Sequence, residues 1–425
     1  MTYPDSVRFL YSLGNEIGTA KLGLERIRTL LGELGNPQDS CRFVHVAGTN
    51  GKGSTCAMIE SGLRAAGVRT GLYTSPHLQQ PTERIRILGQ PVTDTQFSAA
   101  FDRVHAAAEC LLKRDAIDLH PTYFETVTAM AFVLFAELAV DVVVLEVGLG
   151  GRLDATNVVA PLLSVITPVD FDHEAYLGLS LDSIAGEKAG ILKAGVAAVI
   201  ATQRPEAAAA IGMRAAELGI TPDRAENWNI EDLVLDRFGS RFHVGGPAGE
   251  SINIGCPLAG EHQVENALTA VRVLIRLGID SVAIERGVSG VRWPGRLEHV
   301  SLHPEIVLDG AHNPSGARAL AAYIERFYRG RRVTLIYGAM RDKAVVEMAG
   351  ILFPCAQRVI ATAPAQARAA LPDTLAELAP HPNLVTAANL PQALISAGDL
   401  SPEDAVFVTG SLFLVAEARS LLVKD

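Results

Sequence analysis

Short runs dense in β-branched and other apolar residues alternate with stretches whose apolar positions recur at helical spacing along most of this chain. From Arg42 onward the order is FVHVAG, a helical pattern through MIESGLRAAG, then RTGLYTS, and later DVVVLEVG followed by PLLSVITPV. Strands of this kind, separated by helices, predict a mostly parallel sheet covered by helices. Ahead of the first strand, Leu24, Ile27, Leu30, Leu31 and Leu34 form a stripe that predicts one more amphipathic helix, packed on the core.

The pattern changes between about Glu231 and Ile254. There DLVLDRF and RFHVGG, joined near Gly239, read as a hairpin and predict a small antiparallel annex. A helical pattern through HQVENALTAVRVLIRLG follows, and then Ser289 to Leu297, SGVRWPGRL, carries two glycines and a proline between structured segments. That stretch marks a domain boundary. Beyond it EIVLDGA, RRVTLIYGA, QRVIATA and AVFVTG alternate with helical patterns, which predicts a second, smaller α/β domain of Rossmann-like type. The expected division is 1–295 and 296–425, and 425 residues suffice for two separate cores. No internal repeat or low-complexity segment interrupts the alternation.

Composition narrows the class. With 48% hydrophobic and 20% charged residues the chain is an ordinary globular protein, not a disordered one. A formal net charge of -10 gives no attraction for a nucleic-acid backbone or an anionic membrane, so a phosphate-bearing ligand needs a dedicated local site. Cys41, Cys56, Cys110, Cys256 and Cys355 never form a C-x-x-C pair, which argues against disulfides and structural zinc. The N-terminal MTYPDSVRFLYSLGNEIG lacks a basic start followed by an apolar stretch, and Glu146 and Arg152 break the longest apolar runs. The expectation is a cytoplasmic protein whose partners are small molecules, not nucleic acid or membrane.

The dedicated site is legible as VAGTNGKGST, Val46 to Thr55, between a β-rich run and a helical pattern. Glycines let backbone N–H groups turn toward phosphate oxygens, Lys52 supplies a point charge, and the helix starting near Ser54 adds its dipole. The loop departs from G-x-x-x-x-G-K-[ST]: Val46 stands at the first glycine, and Gly53 separates Lys52 from Ser54. Further along, Glu146 ends an apolar run just before Gly148, Gly150 and Gly151, at the carboxyl edge of a parallel strand where ligand sites form. Its alternative reading is a loop-capping acceptor.

G-T-N-G-K-G-S is the form seen in the Mur ligase superfamily. TSPHL at Thr74 to Leu78, TERIRI at Thr82 to Ile87, TYFE at Thr122 to Glu125 and LEVGLGGRLDATN at Leu145 to Asn157 narrow it. So do Asp172 with His173, GEKAGI at Gly186 to Ile191, PGR at Pro294 to Arg296 and DGAHNP at Asp309 to Pro314. In this order they resemble the bifunctional folylpolyglutamate synthase/dihydrofolate synthase family. The resemblance implies an N-terminal P-loop ATP-binding domain and a Rossmann-like C-terminal glutamate-ligase domain, with ATP at their junction and the folate in the N-terminal domain. It assigns ATP to Thr49, Asn50, Gly51, Lys52, Gly53 and Ser54, with Asn266, Arg296 and Asp309 on adenine, phosphate and ribose. Magnesium, as two ions, falls to Ser75, Glu146, His173 and a carbamylated Lys188. Pteroate or folate falls to Arg84, Thr122, Tyr123, Phe124, Glu125, Leu153, Asp154 and Ala155.

The residues taken alone weigh some of these differently. Magnesium prefers oxygen, so ligand chemistry favours Asp170 or Asp172 over His173. Lys188, in an apolar helical pattern, reads by itself as a surface lysine with a buried stem. Phe124 stands even between a pterin platform and core packing. Asn313 followed by Pro314 predicts a helix N-cap, while His312 beside it is a candidate for holding glutamate or phosphate.

The implied reaction joins L-glutamate to dihydropteroate or a folate through an acyl phosphate made from ATP, in a monomer. Two rivals are a Mur-type ligase of a cell-wall precursor, disfavoured by TERIRI, TYFE and GGRLDATN, and a non-enzymatic ATP switch, which would leave Glu146, His173 and Lys188 without a task.

Overall fold

The computed structural model describes residues 1–13, 23–398 and 400–423; part of the N-terminal stretch read for a leader, 14–18, lies outside them. Its first sheet contains β1 (Arg42–Ala47), β2 (Thr70–Tyr73), β3 (Ile85–Ile87), β4 (Gln90–Pro91), β5 (Val142–Glu146), β6 (Leu163–Ile166), β7 (Ala197–Ile200) and β8 (Asp223–Arg224). They lie in the order β4-β3-β2-β5-β1-β6-β7-β8, parallel throughout except that β3 and β4 turn back at one edge. All five residues of β5 are buried, which is why VVVLE reads as an unbroken apolar run and not as an alternation.

Helices close over this sheet by the periodicity visible in the chain. Tyr123–Glu137 and Asp94–Lys113 bring Phe132, Phe135, Phe97 and Phe101 onto Phe43, Val143 and Leu145. The expected early helix is present as Glu25–Glu33, with Ile27, Leu30 and Leu31 buried. A second core gathers Ile166 and Ile200 with Ile184 and Ile211. The strand β2 follows β1 in sequence, yet β5 lies between them, and β6 takes the other side of β1. The strand order therefore reverses at β1, and the crevice beyond the carboxyl ends of β5, β1 and β6 is where α/β proteins place ligands.

The expected hairpin is present as β9 (Asn229–Asp236) and β10 (Gly239–Gly245), and β11 (Ser251–Cys256) adds a third strand in the order β11-β10-β9. The last sheet consists of β12 (Glu298–Leu302), β13 (Glu305–Leu308), β14 (Val333–Tyr337), β15 (Arg358–Ala361), β16 (Leu384–Thr386) and β17 (Ala405–Thr409). Its order is β12-β13-β17-β14-β15-β16, with only β12 antiparallel. Leu335, Phe407, Tyr328 and Met348 fill its core. Two compact units result: 1–229 with 244–252 and 265–290, and 230–243 with 253–264 and 291–425. Among the described residues no helix is long and apolar enough to cross a membrane.

Candidate active site

The phosphate loop leaves β1 at Gly48 and enters the helix Lys52–Ala65. Gly51, the N-cap, has φ 81°, and a Cβ there would stand 2.1 Å from Oδ1 of Asn266, so both backbone and space demand glycine. Asn266, buried on the helix Glu261–Arg276, thus lies directly against the loop. That helix is fixed to the sheet edge: buried Arg272 donates to the Asp223 carboxylate of β8 at 2.8 and 3.1 Å, and Arg276 donates to its other oxygen at 2.9 Å.

Two lysines converge on one backbone oxygen. The Nζ of Lys52 donates to the carbonyls of Gly48 and Thr49, each at 3.1 Å, and the Nζ of Lys188 donates to the same Gly48 carbonyl at 2.9 Å. Lys188 is 4% exposed, on the helix Leu181–Ala189, so the surface reading of its apolar pattern fails. The apolar neighbours enclose the whole side chain, ammonium included. Burial, helped by the positive charge of Lys52 and opposed by Asp172 and Asp154, brings its pKa down to about 7.

The loop amides are not all turned inward as expected. The N–H groups of Thr49 and Asn50 donate to the Pro168 carbonyl at 3.0 and 3.2 Å, and the Thr49 hydroxyl donates to the Asp170 carbonyl at 2.9 Å. The helix begins at Lys52, and the amides of its first turn, Gly51 to Ser54, lie ahead of any intrahelical acceptor. The Asp170 carboxylate accepts from the N–H of Phe171 at 2.9 Å and pairs with Arg204 at 3.3 Å.

Register places the acid. Val46 of β1 is the parallel partner of Glu146 at the end of β5, and Val147 N–H donates to the Val46 carbonyl at 2.9 Å. Glu146 is buried and accepts from the N–H of Ser75 at 3.1 Å, which brings the loop after β2 onto the same carboxylate. His173 sits in the left-handed region at φ 53° and opens the short helix Glu174–Leu177. Its N–H donates to the Asp172 carboxylate at 2.9 Å, and Asp172 lies near enough to Lys188 for its charge to act on that ammonium.

TYFE divides into two roles. Thr122 is the N-cap of Tyr123–Glu137, its hydroxyl accepting from Glu125 N–H at 3.2 Å while the Glu125 carboxylate accepts from Thr122 N–H at 2.8 Å. Arg26 pairs with the same carboxylate at 2.7 Å. Thr122 and Glu125, both expected at the substrate, form a capping box with each other. Tyr123 is buried and stacks on Tyr11 at 5.6 Å; Arg84, also buried, lies 5.0 Å over its ring and donates to Nδ1 of His77 at 2.9 Å. Phe124 is half-buried against the glycine loop: a Cβ on Gly148 would stand 2.5 Å from its ring.

Asp154 accepts from the N–H groups of Gly148 and Leu149 at 3.1 and 2.9 Å and from Thr156 N–H at 3.0 Å. These bonds shape the glycine loop from inside. Buried His45 joins through Thr156 Oγ1 at 2.9 Å, and burial drives its pKa down to about 3, which keeps it neutral. Leu153 is half-buried and Ala155 buried beside it.

On the second unit, the end of β13 gathers the remaining candidates. Asp309 accepts from Leu297 N–H and from Ala311 N–H, each at 3.0 Å, tying the PGRL and DGAH segments together. Arg296 lies across Gly310, where a Cβ would meet its Nη1 at 2.5 Å, and donates to the Gly295 carbonyl at 3.0 Å. Nδ1 of His312 donates to the Gly310 carbonyl at 2.7 Å, and Asn313 caps Pro314–Phe327 as expected, accepting from Gly316 N–H at 2.8 Å. His262 was not singled out in the sequence, yet it is close enough to Asp309 and Arg296 to feel both charges, with burial lowering its pKa.

A phosphate loop after the first strand, an acid on the neighbouring strand and a separate α/β unit define an ATP-dependent ligase of Mur type. Residues 46–274 match the Mur ligase middle domain and 295–412 the Mur ligase glutamate ligase domain. The dihydrofolate synthase/folylpolyglutamate synthase of Bacillus subtilis is 35% identical, with 95% of each chain covered. A probable bifunctional folylpolyglutamate synthase/dihydropteroate synthase of Haloferax volcanii is 38% identical over 99% of this chain, which spans only 50% of that relative's length. The crystal structure of Mycobacterium tuberculosis folylpolyglutamate synthase complexed with ADP and AMPPCP superposes with a TM-score of 0.92 at 33% identity, covering 100% of this chain and 99% of that one. The chain belongs to the folylpolyglutamate synthase/dihydrofolate synthase family of Mur ligases.

Proposed function

We propose that this chain uses ATP to join L-glutamate to the carboxylate of a folate, and also of dihydropteroate, through an acyl phosphate. The observation that carries the reading is the convergence of Lys52 and Lys188 on the Gly48 carbonyl, one turn of loop from the buried Glu146. An ATP switch has no use for a buried lysine of lowered pKa at that point; a ligase that needs one more oxygen ligand for magnesium does, once that amine is carbamylated.

A carboxylate and an amine do not condense at neutral pH until one carboxylate oxygen becomes a leaving group. In this reading Lys52 leaves its two carbonyls for the transferring phosphoryl group, and the amides of Gly51 to Ser54 hold the phosphates ahead of the helix. The carboxylate oxygen attacks the γ-phosphorus, ADP departs, and the glutamate amine then displaces phosphate from the acyl carbon, losing its proton as the amide forms. Arg296 is assigned to phosphate, Asn266 and Asp309 to the nucleoside, and His312 to glutamate or phosphate. Phe124, whose ring tip lies against Gly148, with Leu153 and Ala155, receives the pterin.

The donor set fits magnesium only in part as it stands. Glu146 and Asp172 offer carboxylate oxygens and Ser75 a hydroxyl, whereas His173 offers nitrogen and Lys188 a cation. The lowered pKa of Lys188 supplies the neutral amine that attacks carbon dioxide, and the resulting carbamate would convert that cation into an oxygen ligand. Two magnesium ions held there would neutralise charge on the transferring phosphoryl group. The protein is further assigned to the cytoplasm, consistent with five free cysteines, as a monomer with its boundary at 295/296.

Purified protein given ATP, magnesium, glutamate and either dihydropteroate or a reduced folate should release ADP and form amide with both. Product from the folate alone reduces the claim to polyglutamylation, and product from neither overturns the substrate assignment.

A further inference from the structure

Among the described residues, one group of three metal-capable side chains lies outside the ligase site: His105, Glu109 and His120. His105 and Glu109 are four apart on the helix Asp94–Lys113, hence on one face of it, and His120 comes from the segment that leads into Tyr123–Glu137. Their ligand atoms all lie within 4.8 Å of one another.

The nitrogen positions are those a tetrahedral ion requires. Two imidazole nitrogens bound at about 2.0–2.1 Å to one tetrahedral zinc stand roughly 3.3–3.4 Å apart, and Nδ1 of His105 is 3.4 Å from Nε2 of His120. The second nitrogen of His120 is already engaged: Nδ1 lies 2.9 Å from the Pro121 carbonyl, and only an N–H there can make that bond. This fixes the tautomer and leaves the Nε2 lone pair toward His105, the arrangement in which a backbone carbonyl orients a metal-binding histidine. The ring of Phe9 packs 4.6 Å from His105 and 5.4 Å from His120, which holds both imidazoles in place.

We propose that His105, Glu109 and His120 bind one divalent ion of the zinc class, with water as fourth ligand. Two imidazoles and one carboxylate suit zinc, and not magnesium, which keeps to oxygen. The ion fastens the helix Asp94–Lys113 to the segment ending at the Thr122 cap, two residues before Phe124. The proposal stands apart from the ligase assignment, since none of its three ligands belongs to that site.

Full-length protein stripped with a chelator should be titrated with Zn2+ alone and, for the visible absorption of a tetrahedral site, with Co2+ alone. Because zinc can also visit Glu146 and His173, the titration is repeated on Glu146→Ala/His173→Ala, which should keep one tight equivalent. His105→Ala/His120→Ala should lose it, by more than the roughly 10- to 100-fold that loss of an outer partner costs a metal site. It should also lose the rise in melting temperature that zinc gives the parent. Circular dichroism checks its fold, and His105→Gln and Glu109→Gln, milder changes at half-buried positions, serve if the double variant does not fold. Zinc affinity unchanged in folded histidine variants overturns the proposal, as does a folded, stripped parent that takes up no zinc beyond the Glu146 and His173 site; the histidines are then joined by a simple N–H···N bond.

Discussion

Lys52 and Lys188 share an acceptor, yet their substitutions should behave differently. Lys52→Ala should leave the fold intact and lower ligase turnover by about two to three orders of magnitude, the equivalent of roughly 3–4 kcal/mol for one transition-state charge contact. Steady-state ADP release measures it, and near-normal turnover would remove the nucleotide assignment. Lys188→Ala should be nearly inactive but partly restored by short carboxylic acids that supply the missing oxygens, whereas Lys188→Arg should stay inactive, since a fixed cation cannot take up carbon dioxide.

The buried position of Lys188 also sets a pH dependence. Its pKa falls from 10.5 to about 7 on folding, so between those values the unfolded chain holds the extra proton. The destabilisation from this group is fully present below about pH 7 and fades as pH rises toward 10.5, because stability increases with pH wherever the unfolded state binds more protons. Carbamate formation follows the same titration upward. Isotope-labelled bicarbonate should give a carbamate signal that grows through pH 7 to 8 and is missing in Lys188→Arg; a signal equal in both proteins would assign it elsewhere.

At the scale of elements, the capping box at the start of Tyr123–Glu137 is a structural device with a functional passenger. Thr122→Ala should destabilise by about 1 kcal/mol, the usual value of a lost cap. Glu125→Ala should lose more, because it also strands the largely buried Arg26. Urea unfolding of both variants tests the order, and equal midpoints would show that Arg26 finds another partner. The alternation of apolar runs was enough to read the parallel sheet, the early helix, the hairpin and the second α/β unit, because burial on both faces leaves a direct trace in composition. TYFE shows where such reading stops. T-x-x-E before an apolar run is the signature of a capping box, and that structural device went unread within the family motif. The burial of Lys188 against Gly48 and the pairing of Asp170 with Arg204 stayed hidden for another reason: their partners come from segments far away in sequence, and local pattern carries no record of them.

For the whole molecule, ligand binding and folding stability are linked. A non-hydrolysable ATP analogue at about a hundred times its dissociation constant stabilises the folded state by about 2.7 kcal/mol. The melting temperature should therefore rise with nucleotide in the parent and much less in Lys52→Ala; an equal rise would mean that nucleotide binds away from the loop.

The threading of β5 between β1 and β2 has its own consequence for biogenesis. The loop from Gly48 to Ser54 is synthesised some ninety residues ahead of Glu146, and the two become neighbours only once the later strand pairs between β1 and β2. A ribosome-bound chain that has not yet emerged as far as Val142 carries two central strands with unsatisfied, apolar edges and no acid to complete the site. Chains released at that point should aggregate or be held by chaperones and should bind no nucleotide. Pairing of β5 thus brings Glu146 to the loop before the sheet is whole, since β6, β7 and β8, synthesised later, still have to add on the other side of β1.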